Sequence, residues 1–167
     1  MQIHFHNQKW LKAFHVLFVI MWVGGAITLS SKQFFINAAS DSELYGILST
    51  LHYIDIFIII PGAMGCLITG ILYSTLTNWG WFTYKWIIVK WIICLYGVIF
   101  GTYPLGPWLE ILVDIAKVQG LASYNDLQFI HSLTMSRLFG TFQALTLVFA
   151  CFISSLKPWG KLKKLKI

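Results

Sequence analysis

Charge is what this chain has least of. Only 11% of its 167 residues are Asp, Glu, Lys or Arg, against about 25% in a soluble domain. Acids are scarcest, with six in all: Asp41, Glu43, Asp55, Glu110, Asp114 and Asp126. No Gly-rich phosphate loop, Ser/His/Asp set, Cys/His pair or carboxylate dyad occurs, so hydrolytic and phosphoryl-transfer chemistry has no residues to run on. Cysteine is equally thin. Cys66, Cys94 and Cys151 form no CxxC and all fall inside apolar runs. A disulfide scaffold is excluded, and packing is the expected role of each.

Hydrophobic residues supply 57% of the chain. They gather into four stretches, Trp10–Ser31, His52–Leu76, Trp81–Tyr103 and Phe129–Leu156. Each has the ~20 residues a helix needs to cross the hydrocarbon core. The expected fold is all-α, a single four-helix transmembrane bundle covering 1–167. Its helices are expected near 10–31, 44–76, 81–103 and 127–156. The first stretch reads as a retained helix, because no small-residue cleavage site follows it.

Five of the six acids lie in the first and third loops, and Asp55 lies just inside the second helix. Lys9, Lys12, Lys85, Lys157, Lys161, Lys163, Lys164 and Lys166 lie on the opposite side. The positive-inside rule makes that side cytoplasmic, so both termini are expected inside. A bacterial cytoplasmic membrane is the expected location. The net charge of +6 comes mainly from the C-terminal tail and points to anionic headgroups, not nucleic acid. Asn78, Trp79 and Gly80 read as a tight inner turn making helices two and three antiparallel neighbours. Within the long outer loop, residues 107–118 read as a short amphipathic helix lying on the outer surface. Pro61, followed by Gly62, Gly65 and Gly70, predicts a kinked second helix approached closely by another helix or a flat ligand.

Ionisable residues inside the bilayer cost free energy and face partners or cavities. His52 and His131 start their helices from the same outer face, so both are expected at one depth. There they can hold a metal or haem iron between them. Asp55, three residues after His52, is placed to orient that imidazole. Arg137, about 9 Å deeper than His131, needs an anion such as Asp55 or a haem propionate. His15, Lys85 and Lys90 form an inner cluster with no acid nearby, which suits an anionic ligand. His131 with Met135 and His52 supports a copper alternative, and a cofactor-free assembly subunit is a third. His4 and His6 are a weak metal pair in the N-terminal segment.

Helix one, WLKAFHVLFVIMWVGGAITL, resembles the first helix of HemJ-type protoporphyrinogen oxidases. The shared positions are Trp10, Leu11, Lys12, Ala13, His15, Trp22 and Gly25. PGAMGCLITGILY is similar to that family's second helix. GWFTYKWIIVK matches at Gly80, Trp81 and Lys85, with Thr83 in place of the family's histidine. The layout also resembles copper-resistance D-type domains and an uncharacterised family of small four-helix membrane proteins, with closest likeness to the last. The resemblance implies haem b within the bundle, with His15 and Lys85 as the carried-over residues. It implies oxidoreductase chemistry with a quinone or porphyrin substrate. The residues themselves favour the His52/His131 pair, so the ligand set stays open here, as does a homo-oligomeric state.

Overall fold

The computed structural model describes residues 5–77 and 80–160, with side chains from residue 8 onward. The His4/His6 pair and the lysines beyond residue 160 lie outside the described side chains. Every long element is helical. These are α1 (Phe5–Phe34), α2 (Asp41–Ile54), α3 (Ile60–Leu76), α4 (Lys85–Phe100), α5 (Gly106–Gln119) and α6 (Leu127–Leu156). No β-strand occurs among the described residues.

Two junctions are π-turns, Asp55–Ile59 and Gly101–Leu105. Ile60 N–H reaches Asp55 O, and Gly106 N–H reaches Gly101 O. Pro61 follows the first turn and Pro104 lies within the second. A proline ring crowds the carbonyl four residues earlier, and a wider turn relieves that crowding. Both junctions keep helical dihedrals, so each pair of helices runs on as one rod. Asp41–Leu76 spans 36 residues and Lys85–Asn125 spans 41. At 1.5 Å per residue the first rod is about 54 Å long and the second, which ends at Gln119 before the break at Gly120, about 52 Å, against a ~30 Å hydrocarbon core. All four helical rods are long and apolar enough to cross a membrane.

The extra length builds a second core. Leu44, Leu48 and Leu51 of α2 close on Leu109, Leu112 and Ala116 of α5 and on Phe129 and Leu133 of α6. The 107–118 segment is therefore helical as expected. Its apolar face, however, covers α2 and α6 instead of resting on a headgroup layer. Asp41 and Glu43 belong to the first turn of α2, not to a loop. Ser40 Oγ accepts from Glu43 N at 3.2 Å, and Glu43 Oε2 accepts from Ala39 N at 2.7 Å. That reciprocal cap starts the helix well before the apolar run. Asp41 Oδ1 also accepts Leu121 N at 2.7 Å, tying α2 to the loop before α6. Asp126 caps α6 through Gln128 N and Phe129 N. Lys157, at φ 47, ends α6 just before Pro158, as a left-handed C-terminal residue does.

In the other half, α1 is the hub, packed on α3 and α6. Trp22 is buried with Ala26, Ala63, Ala144 and Leu147. Of the glycines after Pro61, Gly62 and Gly65 admit α1. A Cβ on Gly62 would stand 2.7 Å from Trp22 N and 3.1 Å from Phe18 O. Gly97 of α4 likewise faces the Trp22 ring, at 2.9 Å from a built Cβ. Helices α3 and α4 meet little: α3 leans on α1, and α4 on α6. A short connection therefore does not make them close neighbours. Residues 78 and 79 of that connection lie outside the described set.

Candidate functional site

The expected outer pair is not assembled. His52 is half-buried, with Nδ1 sealed from solvent and lacking a hydrogen-bond partner. His131 is exposed, and no hydrogen bond or ring contact joins the two among the described residues. Asp55 lies close enough to His52 to act on it electrostatically, but no hydrogen bond forms between them. Arg137 makes no ion pair with Asp55 among the described residues. Its Nε donates to Gln33 O at 2.9 Å, and its guanidinium lies 5.9 Å from the Phe34 ring centre. A cation on the last carbonyls of α1 meets the negative end of that helix dipole.

The inner cluster is better formed. His15 Nδ1 is 2.7 Å from Thr69 Oγ1. The Thr69 hydroxyl donates to Gly65 O at 2.6 Å. Its single proton is thereby used, so it accepts from His15 Nδ1–H. That fixes the tautomer and leaves Nε2 with its lone pair. Nε2 makes no hydrogen bond among the described residues and is not sealed in the interior. Tyr73 packs edge-on against the imidazole at 5.7 Å. Lys90 is half-buried, donates Nζ to Ser154 Oγ at 3.1 Å, and lies 5.8 Å from the Trp86 ring centre. It acts electrostatically on His15, and no carboxylate pairs with it among the described residues. Lys85 is exposed at the start of α4. The three cysteines, expected at separate depths, gather around Lys90. Cys66 and Cys94 pack beside the Trp22 cluster, and all three are free thiols.

Asp55, together with residues given no expected role, lines a third feature. A cavity of about 50 Å³ lies between α1, the two π-turns and α6, lined by Ser30, Asp55, Ser136 and Gln143 among others. Gln143 Nε2 donates to Gly97 O at 3.2 Å, and its buried Oε1 has no partner. Gln33 Nε2 donates to Ser136 Oγ at 2.8 Å, and its Oε1 is also orphaned. The signal for these residues was present in the sequence: an amide inside a run such as FQALTLVF must face a partner. No three His, Cys, Asp or Glu side chains stand close enough to hold a metal among the described residues. No family model matches this chain, nor does any curated protein or solved structure.

Proposed function

We propose that this chain is an integral protein of a bacterial cytoplasmic membrane, with both termini cytoplasmic, that holds haem b at His15 and carries electrons. The location and orientation rest on the four apolar rods and on charge. Lys9, Lys12, Lys85 and Lys157 occupy one end of the bundle; Asp41, Glu43, Glu110, Asp114 and Asp126 occupy the other. Cysteine-labelling of each end in sealed vesicles tests it. Reagent-accessible outer ends at residues 40 and 120, with protected termini, are expected; the reverse pattern refutes it.

The haem assignment rests on one observation: the tautomer of His15 is set by Thr69, leaving Nε2 unprotonated and accessible. Ligand histidines are held this way, by a hydrogen bond to the other ring nitrogen. Lys90 supplies a cation without a protein carboxylate, which matches a propionate in charge. Thr69 holds the His15 ring, whereas no hydrogen bond holds the His52 or His131 ring among the described residues, so the reading is of one histidine ligand. The bound group would supply one-electron chemistry. Thr69 and Tyr73 would orient His15 toward it, Lys90 would neutralise a propionate, and the Trp22 and Trp86 packing would limit water there. A membrane quinone or a porphyrin would be the electron partner.

The test is a reduced-minus-oxidised visible spectrum of protein purified in detergent after expression with haem. Haem bands in wild type, lost in His15→Ala and kept in His52→Ala and His131→Ala, are expected. Thr69→Val should shift the reduction potential, because it frees the ring orientation and tautomer. A featureless spectrum refutes the reading. Stoichiometric copper uptake weakened by Met135→Leu would then support the copper alternative, and no cofactor at all an assembly role.

A further inference from the structure

The cavity between the two π-turns contains more acceptors than donors: among its lining side chains only the Ser136 hydroxyl keeps an uncommitted proton among the described residues. Asp55 lines it, and its carboxylate makes no hydrogen bond or ion pair among the described residues. Gln143 is 5% exposed, and its Oε1 is buried and unpartnered. The amide of Gln143 is not free to flip, because its Nε2 is held by Gly97 O. Ser30 donates its proton to Ala26 O at 2.7 Å, so its oxygen presents lone pairs only. Ser136 Oγ already accepts from Gln33. Buried acceptors left unpaired are costly, and one Ser136 proton cannot serve both Asp55 and Gln143 Oε1, so the cavity calls for a cation or a further donor.

Charge narrows the guest. Asp55 is the one acid lining the cavity. His52 is the charged or titratable group that acts on it, and Arg137, the nearest cation on α6, is committed to Gln33 O. One carboxylate with neutral oxygens matches a single positive charge. Divalent sites take several carboxylates, and no cluster of three metal-binding side chains exists among the described residues. Volume narrows it further. About 50 Å³ is only a few times the ~10–15 Å³ that one water needs, so an ion with a water fits and a porphyrin does not. Breaks in helical regularity also free carbonyls and recur at ligand sites within helices. Here two such breaks flank one cavity.

We infer that this cavity is a binding site for a small monovalent cation, ligated by Asp55, Gln143, Ser30 and Ser136. The site is separate from His15 and stands or falls independently of haem. The probe is radioactive sodium, measured by equilibrium binding to the detergent-purified full chain, with choline as the inert counterpart. One saturable site per chain is expected, together with a sodium-dependent rise in Tm that follows mass action. Asp55→Asn should abolish both, and Gln143→Leu should raise the half-saturating sodium concentration several-fold. Ser30→Ala removes a cavity oxygen without breaking a contact between helices, so it guards against loss by misfolding; it too should weaken binding. Absence of saturable binding, or wild-type binding in all three variants, overturns the inference. So does a Tm that responds to pH alone, which would make this a proton site, or to neither, which would leave a water pocket.

Discussion

Replacing Gly62 by alanine probes the contact on which the α1–α3 pair depends. The added Cβ would sit 2.7 Å from Trp22 N, 3.0 Å from Met21 Cβ and 3.1 Å from Phe18 O. Two of those three atoms are backbone, which cannot rotate away as a side chain can. The helices must part, or the residue must unwind. Overpacking of this kind costs about 1–3 kcal/mol. Helix propensity would ordinarily return ~0.5–1 kcal/mol for Gly→Ala. In lipid or detergent the separated helices keep their backbone hydrogen bonds, so that gain nearly cancels and packing dominates. Gly70→Ala is the control. It lies two turns further along α3, and its Cβ would meet nothing within 4 Å. Thermal unfolding in one detergent, followed by circular dichroism or tryptophan emission, compares the two. At about 2–4 °C per kcal/mol for a chain of this size, Gly62→Ala should melt several degrees below wild type, and Gly70→Ala within a degree or two. Equal melting of the two variants would refute the claim that α1 is seated directly on the α3 backbone. Gly65 is a weaker test, because its Cβ would meet only the Phe18 ring, which can swing.

Arg137→Met removes the donor on Gln33 O and should cost about 1.5–3 kcal/mol, the range for a charged hydrogen bond; Arg137→Lys should recover only part, since a point charge does not reproduce the guanidinium geometry. Both are read by denaturation in detergent. Gly120→Ala should be destabilised by about 1–3 kcal/mol, because φ is +55 there and the new Cβ would collide with the Asp41 carboxyl that ties α2 to this loop. Asp126, outside the spanning segments, is held below the usual carboxylate range, first by the Gln119 amide and then by the N–H groups of Phe129 and Gln128. Its stabilisation is complete above the unfolded carboxyl value of about 3.9 and is lost as pH falls through the lower folded value. The Tm gap between wild type and Asp126→Asn should therefore be largest near neutral pH and shrink in acid.

Properties belonging to a single segment were legible before any folding was considered. Length and hydropathy of each run decide whether it can span a bilayer, and they anticipated four apolar helices. The Ser40–Glu43 cap is equally local: a serine followed three residues later by glutamate, just ahead of an apolar run, marks a helix start. Position around the helix axis was another matter. A helix in lipid is apolar on nearly every side, as α1 is, so periodicity carries little information about which face meets which neighbour. His52 and His131 share an expected depth, yet one is half-buried and the other exposed. Arg137 sits within reach of a helix end that is 104 residues away in the chain, which no spacing argument could supply.

The sequence by itself determined that four runs are long and apolar enough to cross a membrane, and which end of them carries each sign of charge, because these are properties of each run in turn. Only the tertiary structure decided that α5 covers the outer leucine core, that Thr69 sets the tautomer of His15, and that Asp55 and Gln143 share a cavity. Each of those depends on how rods of nearly uniform apolar surface rotate and settle on one another. Steric fit between backbones controls that, through Gly62, Gly97 and two widened turns, and it involves residues far apart along the chain.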